Sequence, residues 1–216
     1  LIVVMAVFLF IIGTALAIFI SIVSHQRIIL AQQELLRQAS YAIEYMTKGL
    51  RMAGKDLGNT CLGSEPYCAN SDCTGYNYAL TRYDSSEQIY RGIKFINQSD
   101  NNACQEFFLD NSDPQNPILK EIKKYQQSEI DNPVPLTSTN LKINSIGFNI
   151  VGAEGDSLVQ PRVTISLDIK AQGDENQPST KVQTTVSQRD LNKLSMKIAT
   201  DTGFLIDPHA GNIVIE

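Results

Sequence analysis

LIVVMAVFLFIIGTALAIFISIVS, residues 1–24, contains no Lys, Arg, Asp, Glu or His, and the first full charge in the chain is Arg27. As one helix from Leu1 these residues would extend about 36 Å, enough to cross a hydrocarbon core about 30 Å thick. The run is longer than the apolar stretch of roughly 7–15 residues found in a cleaved signal peptide. Gly13 and Thr14 interrupt it only mildly, and small residues in a membrane helix mark places where a second helix or a bend comes close. Gly13 is therefore a candidate point of flexibility, or else a packing notch.

The helix does not stop at the end of the apolar run. From His25 to about Lys55 no Pro intervenes, and Leu35, Ala39, Ala42, Met46, Leu50 and Ala53 recur at spacings of three and four. Ile28, Leu36 and Ile43 widen this stripe, while Gln32, Gln33, Arg37, Gln38, Glu44 and Lys48 lie mostly off it. A stripe of this kind is the face a helix buries against a partner. Glu44 stands four residues before Lys48, a spacing that supports a helix. Gly54, Gly58 and Asn59 end the pattern, and Lys55 near that end suits the helix dipole. The expected helix is greasy on all sides over residues 1–24 and amphipathic over 25–58. Unbroken to Lys55 it would be on the order of 80 Å long, far beyond an ordinary globular helix.

Beyond the helix, residues 59–194 suit one domain, and 195–216 form a tail or a small hairpin. Strand patterns dominate. Residues 76–83 (YNYALTRY) and 89–96 (IYRGIKFI) flank a polar turn and read as a hairpin. Residues 99–103 form another turn, followed by a strand at 105–109. Pro114 and Pro117 break the chain, residues 118–125 fit strand or helix, and a polar loop runs to Asn140. Residues 141–151, 162–170 and 181–187 alternate around Ile146, Phe148 and Ile150, then Val163, Ile165, Leu167 and Ile169, then Val182, Thr184 and Val186. They predict an antiparallel meander with one dry face. That face needs a cover, and the helix stripe is the nearest apolar surface. The fold class is α+β, a long N-terminal helix packed on an antiparallel sheet.

The apolar start, LIVVMAVFLFIIGTALAIFI, the amphipathic continuation and a sheet closing on VQTTVSQRDL resemble a type IV pilin or a pseudopilin of a type II secretion system. The likeness is firmest over residues 1–55 and extends by architecture to about Leu191. It places Leu1 just after the glutamate of the family's N-terminal signature, so the prepilin peptidase site would precede the residues quoted. The resemblance implies a structural subunit, a minor one, that is cleaved and methylated by the peptidase and held in the inner membrane by its stalk. It implies an extracytoplasmic domain and assembly by an inner-membrane platform into a pilus or secretion filament. There the stalks bundle with those of other subunits, at the cell surface or in the periplasm. A single-pass anchored binding or sensor domain is the alternative, and an anchored extracytoplasmic enzyme is the third reading.

Eighteen basic against 23 acidic residues give a net charge of −5. With no basic cluster, a nucleic-acid partner is not expected. Four cysteines, Cys61, Cys68, Cys73 and Cys104, show no CxxC pair, and neither of the two histidines lies near them, so a zinc site is not expected. An even number points to two disulfides in an oxidising compartment. Three pairings are open, and the reading favours Cys61 with Cys68 and Cys73 with Cys104. Arg27 and Arg37 after the span point the other way by the positive-inside rule, but the cysteines weigh more. Catalysis finds no nucleophile elbow and no phosphate loop, and His25 and His209 read as interfacial and turn residues. No enzyme activity and no cofactor are expected. Asp110 with Asp113, or Asp72 near Asp100, are weak calcium candidates, since such residues usually serve turns. Asn97-Gln98-Ser99 has the form of a glycosylation triplet.

Overall fold

The computed structural model describes residues 1–68, 71–125, 132–152, 159–172 and 177–189. The tail at 195–216, with His209, lies outside them. The first element, α1 (Ile2–Arg51), is a single helix of 50 residues, about 75 Å long. It passes through Gly13 without a break.

The sheet side of α1 follows the apolar stripe. Leu35, Ala39, Ala42, Met46, Gly49 and Leu50 are buried, whereas Ile28 and Leu36 stay exposed and Ile43 is half-buried. The buried face is thus narrower than the apolar pattern allowed. The helix also ends earlier than expected, at Arg51 rather than in the 55–58 region. The physical reason is a change of hydrogen-bond partner. Ala53–Gly54 become β1 and pair with Asn97 and Ile96, while the Met52 carbonyl accepts from the Gln98 N–H at 3.0 Å. Ala53 is buried as the stripe required, but as a strand residue.

Eight further strands follow, β2 (Tyr78–Asp84), β3 (Ile89–Asn97), β4 (Ala103–Asp110), β5 (Ile118–Lys124), β6 (Val134–Pro135), β7 (Leu141–Val151), β8 (Arg162–Ala171) and β9 (Ser179–Ser187). Among the described residues all nine strands join one antiparallel sheet, ordered β6-β5-β4-β3-β7-β8-β9, with β1 and β2 also paired to β3. The ambiguous 118–125 stretch is strand. Pro135 is accommodated because β6 is an edge. The turn between β3 and β4 has Asn101 and Asn102 at φ 49° and 55°, the left-handed geometry that tight hairpins favour and Asn tolerates.

The meander β7-β8-β9 is antiparallel as predicted, and its register sets Ile146 opposite Leu167, Phe148 opposite Ile165 and Ile150 opposite Val163. Simple alternation would put Ile143 on the face opposite Ile146. A register shift between Ile143 and Ser145 returns both to the core, where each is fully buried. This is how an extra residue in a strand changes a side chain's face. The dry face of β8 and β9 lies under α1.

Candidate membrane and assembly surface

Two surfaces of α1 have opposite fates. Residues 1–22 are exposed throughout, and the exposed side chains include Phe8, Leu9, Phe10, Ile18, Phe19 and Ile20, each more than half exposed. The helix has a window long and apolar enough to cross a membrane, and none of that window is buried against the domain. An apolar surface of this size is far beyond the patches that soluble monomers leave bare. At Gly13 an added Cβ would meet nothing within 4 Å, so the notch faces open space. Beside it the Thr14 hydroxyl donates to the Ile11 carbonyl at 2.9 Å, the back-bonding that bends helices slightly.

Between the apolar run and the first fully buried residue, Leu35, lies a spacer, residues 25–34, about 15 Å of helix. It carries Arg27 but also Ile28, Ile29 and Leu30, exposed by 45%, 53% and 63%. The apolar run by itself ends the uncovered section at residue 24, and the structure carries it about ten residues farther, to where the domain begins. Ile28 belongs to the predicted stripe, yet the sheet leaves it exposed.

The domain grips the last four turns of α1 with aromatic rings and buried polar groups. Tyr78, Phe95 and Phe107 are fully buried and pack in series as tilted rings, with centroids 6.4 Å and 5.6 Å apart. Gly49 gives them room, since a Cβ there would lie 3.3 Å from the Phe95 ring. The Tyr78 hydroxyl donates to the Leu50 carbonyl at 2.6 Å, and the Arg189 N–H donates to the Arg51 carbonyl at 3.0 Å. Carbonyls that a helix end leaves unpaired are in this way taken up by the sheet. Burial pushes the Tyr78 hydroxyl far above its ordinary range, which keeps it a neutral donor.

A second tie was not foreseen. Glu121 on β5 is almost fully buried and accepts from the Tyr45 hydroxyl of α1 at 2.9 Å and from the Gln105 amide. Lys123 lies 3.6 Å away and pairs with Asp100 at 2.8 Å. Burial, then the Glu121 carboxylate, raises the Tyr45 hydroxyl above its usual value. Once 118–124 is read as strand, Leu119 and Glu121 share a face. The strand-or-helix ambiguity hid this.

The cysteines close two disulfides, Cys61–Cys104 and Cys68–Cys73. The expected pairing of Cys61 with Cys68 and Cys73 with Cys104 is therefore corrected. The cause is Asp56, which is buried and receives the N–H groups of Thr60, Cys61 and Leu62 at 2.8–2.9 Å. This wraps the loop back on the sheet and sets the Cys61 Cα 5.3 Å from that of Cys104 on β4. Cys68 and Cys73 are left to close a short loop of their own. Burial alone would raise the Asp56 carboxyl, but the three backbone donors together hold it below its usual value.

The remaining candidates are placed as turn residues. Asp110 pairs with Lys120 and Ser112, Asp113 holds Gln115 and Asn116, and Asp72 holds Thr74. Asp100 is engaged by Lys123 and Tyr125. Among the described residues no three His, Cys, Asp or Glu side chains converge. Asn97 is buried, donates to Gln105 at 2.7 Å and accepts from Ser99, so its amide is out of a glycosyltransferase's reach in the folded domain. No protein-family model, curated protein or solved structure matches the chain.

Proposed function

We propose that the chain is a structural subunit, a minor one, of a type IV pilus-like or type II secretion filament, held in the membrane by its stalk before assembly. The observation that carries the reading is the division of one continuous helix into an all-round apolar half without cover and a half embedded in a sheet. A plain anchor needs a span, but it does not need that span to be continuous with the core helix of the domain it carries. Such continuity fixes the domain rigidly to the stalk, as a subunit packed at constant angle along a filament requires. The uncovered Ile28, Ile29 and Leu30 extend the apolar surface past the thickness of a bilayer and fit contact with neighbouring stalks. Two disulfides support a domain that folds in an oxidising compartment, outside the cytoplasm. In this role the stalk exchanges lipid contacts for helix contacts, so leaving the membrane has no large hydrophobic cost. The partners are other subunits, the assembly platform and the prepilin peptidase.

The test is recovery of the chain in filaments sheared from cells that carry the assembly machinery, with Phe10→Lys as the comparison. The expected result is wild-type chain in the sheared fraction and loss of the variant. Wild-type chain that stays wholly in the membrane fraction would favour the anchored binding or sensor domain.

A further inference from the structure

At the domain end of α1 a cleft of about 950 Å³ opens between the last helical turns, the start of β8 and the exit of β9. It is lined by Lys48, Arg51 and Arg189 against a single carboxylate, Glu44. The helical spacing would pair Glu44 with Lys48, yet among the described residues no salt bridge joins them. Nor does Arg51 or Arg189 enter one, while seven other basic residues do. The usual task of cations at a helix C-terminus is to meet its bare carbonyls. Here those of Leu50, Arg51 and Met52 are already taken by Tyr78, Arg189 and Gln98.

The backbone holds the two arginines side by side. The Arg189 N–H bonds to the Arg51 carbonyl, and the neighbouring segment is locked by the buried Gln188, whose side chain donates to the Ala53 carbonyl at 2.6 Å. Gln160 donates to the Gln188 carbonyl at 2.8 Å. Arg51 and Arg189 line the same cleft, where like charges repel and an anion between them is favoured, and their planar forks match carboxylate and phosphate oxygens. The volume suits a small molecule.

The geometry points to a binding site in this cleft for a small polyanion carrying two or more carboxylate or phosphate groups, gripped by Arg51 and Arg189 with Lys48 at its side. The inference does not rest on the filament reading, since it concerns the domain alone. The probe is citrate, titrated calorimetrically into the full chain in an uncharged detergent. The Arg51→Gln/Arg189→Gln double variant is compared with an Arg37→Gln/Lys181→Gln variant that removes the same charge elsewhere. Among the described residues both arginines bond to the rest of the fold through backbone atoms, so an unchanged melting temperature verifies folding. The expected result is saturable binding by wild type and the control, weakened at least tenfold in the cleft variant and reduced by added salt. No saturable binding by wild type, or equal weakening in both variants, would overturn the proposal.

Discussion

The two halves of α1 share a backbone and differ in everything the backbone touches. The first presents Phe, Ile, Leu and Val on every side and is uncovered from Leu1 to Ile22. The second, from Leu35 onward, buries one narrow stripe under the sheet. Helical conformation is therefore no guide to what stabilises a segment. The docked half is held by tertiary packing, and the free half needs an apolar medium or a partner helix. Substitutions should separate the two halves cleanly, since a change in one should leave the other's observable untouched.

The largest expected effect is in the domain. Replacing Cys61 and Cys104 by Ser opens a loop with a sequence separation of 43 and should destabilise the domain by about 4 kcal/mol, against about 2 kcal/mol for Cys68 and Cys73. Chemical denaturation monitored on the domain compares them, and equal losses would contradict the assigned pairing. Met46→Ala, in the docked stripe, should cost about 3 kcal/mol and lower the thermal midpoint. Ile18→Ala, in the stalk, should leave that midpoint where it is. A shared drop would mean that the stalk is part of the domain's core.

Acid should act on the domain through its lowered carboxyls. Asp56 and Asp100 titrate below their ordinary values when folded. Their contribution is complete above the unfolded value of about 4 and is lost as pH falls through the folded ones. Thermal midpoints should therefore fall as pH drops below about 4, and Asp56→Asn should flatten that decline. The same Asp56→Asn change should cost about 1–2 kcal/mol at neutral pH, because an amide group cannot accept on both sides. A steeper acid decline in the variant would contradict the role given to Asp56.

What could be read from the residues follows from which forces are local. The stripe from Leu35 to Leu50 and the alternation of β7, β8 and β9 record burial directly, and so the helix, the meander and their packing were legible. Features set by hydrogen bonds between distant segments were not. The end of α1 depends on β3 capturing Ala53 and Gly54. The disulfide pairing depends on the Asp56 carboxylate folding residues 60–62 back upon the sheet. Glu121 stands among lysines in the sequence, and only its register in β5 turns it toward Tyr45. The cleft beside Arg51 and Arg189 joins residues far apart in the chain, and no spacing could have announced it.

The most direct test of the divided helix is the accessibility of a nitroxide label at position 10, reconstituted in a lipid bilayer, to oxygen and to a water-soluble nickel complex. High oxygen and low nickel accessibility are expected at position 10, with the reverse at position 29 on the same helix. A label at position 10 that is shielded from both reagents, or that sees water as position 29 does, would contradict that division.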